Sequence, residues 1–225
     1  MPKHLPKTLK AVLFDVDGTL VDSNDLHAAA WQEAFAHFGH SVPFERVRAQ
    51  IGKGGDNLIP ALLPDLSARE RKPIETYRSD LFLRDYLARV TPFPGGRRLF
   101  ERLKRGGKTI VLASSAGGAE IEHYVGLLDV GDLISELTSK DDVERSKPCP
   151  DIFEAALGQA DGAKAAEAVV IGDSPFDVKA ATKAGIATVA VRSGGFPEPE
   201  LREAGAVALF DGPEDLLERY SEWAG

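Results

Sequence analysis

A chain of 225 residues, 43% of them hydrophobic, can bury one large core or a core with a smaller satellite unit, which excludes wholesale disorder. The net charge of -8 excludes the basic face of a general nucleic-acid binder, but not an anionic substrate met through a divalent cation. One cysteine, Cys149, permits no internal disulfide, no apolar run approaches the roughly 20 residues of a membrane span, and the opening MPKHLPKTLK has no signal core; a soluble cytoplasmic protein without membrane or nucleic-acid partners is expected.

The first predicted element is AVLFDV (11–16), a continuous apolar run that ends in two carboxylates, Asp15 and Asp17, followed by Gly18 and Thr19. About ninety residues without a convincing strand come next, too many for a simple crossover. Helical patterns fill them. From Asn24, the residues His27, Trp31, Phe35 and Phe38 recur at helical spacing, and Gly39 supplies a C-terminal stop. The glycine-rich stretch IGKGGD (51–56) follows, then a second helical pattern through Ile74, Tyr77 and Leu81. Ser67 and Glu70 are spaced as a capping box ahead of it, and Pro73 predicts a helix that starts after it or kinks there. The cluster TPFPGG (91–96) closes this stretch. Residues 23–91 are therefore expected to form an inserted helical domain, with residues 1–22 and 92–225 as the core and hinges near 21–24 and 90–94.

Beyond the insert come TIVLAS (109–114), AVVIGD (168–173) and ATVAV (187–191), each followed by turn chemistry and a helical pattern, with weaker strand candidates at DLISEL (132–137) and AVALF (206–210). Continuous apolar runs alternating with helices predict a parallel sheet covered on both faces, an α/β doubly wound, Rossmann-like core.

In such sheets function collects at the carboxyl ends of the strands. The first strand delivers Asp15 and Asp17, the second Ser114 and Ser115, and AVVIGD delivers Asp173, with Asp177 one helical turn later; Lys147 precedes the helical pattern after residue 150. Carboxylates, hydroxyls and an ammonium converging on one edge suit a phosphate and a magnesium ion, which takes oxygen ligands from one or two carboxylates and keeps several waters.

FDVDGTLVDS, the hydroxyl after LAS, SKPCPD and GDSPFD, in this order, resemble the four motifs of the haloacid dehalogenase superfamily of phosphohydrolases, in its phosphoglycolate phosphatase and β-phosphoglucomutase branch. The helical insert is similar to that family's first type of α-helical cap. The resemblance implies a Mg2+-dependent phosphatase for a small phosphorylated metabolite, such as phosphoglycolate or a sugar phosphate, expected as a monomer or weak dimer. Asp15 is implied as the nucleophile forming an aspartyl-phosphate, and Asp17 as the general acid and base. The metal falls to Asp15, the main-chain carbonyl of Asp17, and Asp173. Ser114 and Lys147 are implied to grip the phosphoryl oxygens, with Ser115 or Ala116 adding a backbone N–H, and Thr19 to hold Asp15.

Other positions admit two readings. Ser174 and Asp177 also form a capping-box pattern, so Asp177 either caps a helix or stands beside the metal. Ser115 competes with Ser114. His27 either packs in a helix stripe or touches substrate and assists Asp17. Gly52 and Lys53 either belong to an ordinary connector or to a substrate-specificity loop in which Lys53 reaches an anionic leaving group. Cys149 reads as a small buried hydrophobe. A hexose phosphate mutase of the β-phosphoglucomutase type is the enzyme alternative; the resemblance gives that group an arginine where Gly55 stands and a glutamate where Gly172 stands. A receiver-like phospho-aspartate module is the alternative of another class.

Overall fold

The computed structural model describes every residue except 1, 3, 140 and 141. Its framework is a six-stranded sheet formed by β1 (Ala11–Phe14), β4 (Thr109–Ala113), β5 (Glu136–Thr138), β6 (Ala168–Gly172), β7 (Ala187–Val191) and β8 (Ala208–Phe210). The order is β5-β4-β1-β6-β7-β8, and all five pairings are parallel. β1 therefore lies inside the sheet, between β4 and β6.

The strands read as unbroken apolar runs because both faces are covered. Alternate side chains diverge accordingly. Val12, Phe14, Ile110, Leu112, Val169 and Ile171 pack on one face with α5 (Gly96–Arg105) and α6 (Gly118–Leu128). Ala11, Leu13, Val111, Ala113 and Val170 face the other way, onto α7 (Asp151–Gly158) and α8 (Pro175–Lys183). The doubly wound architecture expected from the sequence is the one observed.

The strands are shorter than the apolar runs suggest. Asp15 and Asp173 lie just beyond β1 and β6, where the chain leaves the ladder and carboxylates can face a site. DLISEL contributes only its last two residues to β5, and AVALF only its last three to β8.

Between β1 and β4 the chain forms α1 (Asn24–His37), α2 (Phe44–Arg48), α3 (Gly55–Leu62) and α4 (Ala68–Leu81), then a π-helical and a 3-10 turn over 82–89. These helices have a core of their own in which Trp31, Phe35, Val47, Leu58, Ile59 and Ile74 are buried. The chain enters and leaves them through β2 (Val21–Asp22) and β3 (Thr91–Pro92), which pair antiparallel. The segments read as hinges thus form a two-stranded ribbon. Gly39, at φ +83°, follows α1 as expected.

α4 overturns one of the two readings of Pro73, a helix that starts after it. The helix begins at Ala68 and runs through Pro73. Ser67 and Glu70 close the expected capping box, with the Ser67 N–H and Oγ–H both donating to Glu70 Oε2 at 2.8 and 2.6 Å. The cap, with Ile74 and Leu81 buried, offsets a proline that removes one helical hydrogen bond.

Candidate active site

A cavity of about 390 Å³ opens between the carboxyl edge of the sheet and the helical insert. Its sheet side holds Asp15, Asp17, Ser115, Ala116 and Lys147; the insert contributes His27, Trp31, Gly52, Lys53, Glu75 and Arg78.

At the sheet edge the charges are buried and paired. Lys147, 1% exposed, reaches Asp15 Oδ1 at 2.5 Å and Asp177 Oδ1 at 2.7 Å. Thr19 Oγ1 donates to Asp15 Oδ2 at 3.1 Å, fixing the carboxylate from its other side. Asp177 caps its helix, as one of its two readings expected, and also holds the lysine. Its Oδ2 accepts from the Ser174 N–H and Oγ–H, closing the box that starts α8, while Oδ1 holds the lysine.

Asp15, Asp173 and Asp177 each offer a carboxylate oxygen, all within 4.8 Å of one another. Burial raises Asp15 to about 7 against the pull of Lys147, and the charges of Asp177 and Asp17 add to the rise. Asp173 stands well above the usual carboxylate range, through burial first and then Asp177 and Asp15. Burial alone would lower the Lys147 ammonium; Asp15 and Asp177 outweigh it and hold the lysine charged. Three buried carboxylates facing one ammonium leave negative charge in excess. That all-oxygen donor set fits a small hard divalent cation.

Two glycines shape this corner. Gly18 turns the chain at φ +72°, and a Cβ there would fall on Asn24 and the Asp173 carboxylate. A Cβ at Gly194 would strike the same carboxylate. The loop after β7, which the sequence reading passed over, therefore belongs to the site.

The Asp17 carboxylate lies outside the three-aspartate cluster. Its Oδ1 accepts from Ser23 Oγ at 2.6 Å and pairs with His27 Nε2 at 2.7 Å. The other ring nitrogen of His27 contacts the Arg78 guanidinium. Arg78 also faces Glu120 at 3.5 Å, and the Tyr124 hydroxyl lies 3.5 Å from His27 Nε2. Burial opposes ionisation of Asp17, but the charge and hydrogen bond of His27, the Ser23 hydroxyl and the Arg78 charge together bring it down to about 2. Ser23, Arg78 and Tyr124, which meet His27 or Asp17, and Glu120, which meets Arg78, were not singled out in the sequence, because these contacts form only across elements.

The remaining expectations divide. Ser115 and Ala116 line the cavity. Ser114 is fully buried, and its Oγ accepts the Ala116 N–H at 3.1 Å, so that N–H is spent within the loop. Gly52 and Lys53 face the cavity, with Lys53 Nζ donating to Gln50 Oε1 at 2.5 Å and standing 4.6 Å over the Phe176 ring. Burial, with Lys179 nearby, lowers its pKa. Cys149 is half-exposed, not buried.

A sequence model described as haloacid dehalogenase-like hydrolase matches residues 12–191. The chain is 31% identical to a phosphoglycolate phosphatase of Cupriavidus necator over 211 residues, covering 92% of this chain and 90% of that protein. It is 28% identical to a fructose-1-phosphate phosphatase of Escherichia coli, covering 80% of this chain and 95% of the other. The crystal structure of a hydrolase from Pseudomonas syringae superposes with a TM-score of 0.90 at 29% identity, covering 96% and 100% of the two chains.

Proposed function

Because the chain belongs to the haloacid dehalogenase-like hydrolases, we propose that it cleaves phosphate monoesters of small metabolites, phosphoglycolate or sugar phosphates, through an aspartyl-phosphate on Asp15. It is a phosphoric monoester hydrolase; the nucleophile, the metal and the substrate class are the proposal. The observation that carries it is the buried pairing of Lys147 with Asp15 and Asp177 beside Asp173, with Asp15 and Lys147 lining the cavity.

Asp15 is oriented by Thr19 and Lys147, so its carboxylate can attack phosphorus without first being reorganised. Lys147 then neutralises charge on the phosphoryl oxygens, and Asp177 keeps the ammonium in place. Mg2+, held by Asp15, Asp173 and the Asp17 main-chain carbonyl, would supply further positive charge to those oxygens. Asp17, ionised by its contacts with His27 and Ser23, fits the removal of a proton from the water that hydrolyses the intermediate. Protonation of the leaving group in the first half-reaction requires Asp17 to be freed from that network. The insert, connected through the β2–β3 ribbon, would act as the cap that admits substrate and excludes water; residues 23–91 are its proposed extent.

The mutase alternative is disfavoured by space. A Cβ at Gly172 would come within 2.6 Å of Asp177 Cβ, which leaves no room for a glutamate. At Gly55 a Cβ would meet Glu75 and Trp31 at 3.0 Å, where the mutase type carries an arginine. The receiver alternative is overturned by membership of the hydrolase family.

The test is phosphate release from phosphoglycolate, hexose 6-phosphates, β-glucose 1-phosphate and nucleotides, with Mg2+ or chelator, for the wild type and Asp15→Asn. Mg2+-dependent release by the wild type, abolished in Asp15→Asn, is expected. Conversion of β-glucose 1-phosphate to glucose 6-phosphate without release of phosphate would establish the mutase instead.

A further inference from the structure

Asp173 has an unusual support. Asn24, the first residue of α1 and 4% exposed, directs its side-chain amide at Asp173 Oδ2 at 2.8 Å and at the Gly194 carbonyl at 3.1 Å. Both neighbours are acceptors, so the amide must present its NH2 group, and both of its hydrogens are used. The slot is tight on the other sides as well, since Gly18 and Gly194 each approach the same carboxylate too closely to carry a Cβ. Ser193 Oγ donates to the Gly18 carbonyl at 2.7 Å, joining the two glycine loops. Arg48, on α2 of the insert, donates to the Gly194 carbonyl at 2.5 Å and pairs with Asp25 at 2.6 Å.

We propose that Asn24 is a positioning residue for metal binding: its amide fixes the rotation of the Asp173 carboxylate and ties that carboxylate to the first turn of the helical insert. The choice of residue is chemically specific. A lysine or arginine in its place would neutralise Asp173 and compete with a cation, whereas an amide orients the carboxylate and leaves its charge available. Groups that orient a ligand from behind commonly alter metal affinity about 10–100-fold when removed. Only Ser23 separates Asn24 from β2, so a movement of the insert about the β2–β3 ribbon moves the donor that holds Asp173. Metal grip and insert position are thereby linked through one side chain.

The inference rests on the magnesium reading, and the experiment separates the two. Mn2+ is titrated into the metal-free protein without substrate, free Mn2+ being read by electron paramagnetic resonance, for the wild type, Asn24→Ala and Asp173→Asn. The expected result is a Kd for Asn24→Ala raised tenfold or more, with Asp173→Asn weaker still. In turnover, Asn24→Ala should need more Mg2+ for half-maximal rate, recover most of its kcat at high Mg2+, and keep its KM for the ester within twofold. A merely structural lesion would lower Tm but leave the Mn2+ Kd, measured well below Tm, unchanged. If Asn24→Ala fails to fold, Asn24→Ser, which keeps a polar residue at the helix start but is too short to span both acceptors, carries the same expectation. Wild-type binding with an unchanged Kd in the Asn24 variant overturns this inference alone. A wild type that binds no Mn2+ overturns the metal reading and this inference with it.

Discussion

The two walls of the cavity are built differently. On the sheet side Asp15, Lys147, Asp173 and Asp177 are all at least 95% buried, and each has a partner within hydrogen-bond distance. On the insert side Lys53 and Glu75 are half-buried, Lys72 is exposed, and acids alternate with bases. Buried, mutually paired charges cannot be rearranged without uncovering one of them, so the sheet edge is committed to a single chemistry. Half-solvated charges of mixed sign can be exchanged at little cost to folding. Under the proposed function, the phosphoryl group belongs to the sheet side, and selection among leaving groups belongs to the insert.

Removing the cation from the committed wall should have the largest effect. Lys147→Met keeps the length of a side chain packed 5.1 Å from the Phe153 ring, but leaves Asp15 and Asp177 without their shared partner. Breaking a buried pair typically costs about 3–5 kcal/mol, which in a domain of this size is roughly 10 °C or more in Tm. Turnover should fall by about 10²–10³, the usual loss when one preorganised donor is removed from a developing oxyanion. A thermal scan and a single-ester assay check both, and Mg2+ should recover part of the lost Tm by replacing some of the missing charge.

A smaller effect on the same wall is set by pH. Asp15 is raised from 3.8 to about 7 in the fold, so the folded state holds a proton there that the unfolded chain has lost. This stabilisation is complete below about 4 and disappears as pH rises through about 7. The Tm of the metal-free protein should accordingly fall between pH 5 and 8. A cation binds the ionised carboxylate, so saturating Mg2+ should raise Tm more at pH 8 than at pH 5. At 100 times Kd the gain is about 2.7 kcal/mol. Equal Mg2+ shifts at the two pH values would contradict this account. Asp17 has the opposite sign, lowered from 3.8 to about 2, and its stabilisation is lost only as pH falls through that range.

The contrast between the walls also explains what the sequence disclosed. Asp15, Asp173 and Lys147 could be read directly because a charge at the end of a buried strand, or within SKPCPD, has few other reasons to be there. The doubly wound sheet was legible for the same reason, since its strands are unbroken apolar runs. Asn24 escaped notice because its partners, Asp173 and Gly194, lie 149 and 170 positions away, and an asparagine near a helix start already has a local explanation. The Arg78 contacts with His27 and Glu120 depend on how α4 lies against α1 and α6, which no periodicity encodes. The β2–β3 ribbon has two residues per strand, too few for any alternation to register.

The smallest expected effect tests the adaptable wall. Lys53 is held by Gln50 and the Phe176 ring, and the Gly52 turn at φ +100° presents it to the cavity. Nothing buried depends on its charge, so Lys53→Ala should leave Tm within about 1 °C, as surface substitutions usually do. Its influence should fall on the leaving group. If Lys53 meets a carboxylate there, KM for phosphoglycolate rises several-fold while KM for a neutral hexose phosphate stays put, and kcat changes little for either, because the contact is made equally in the ground and transition states. Equal changes for both esters would mean that Lys53 acts on the phosphate itself, and the division of labour between the walls would then fail at this residue.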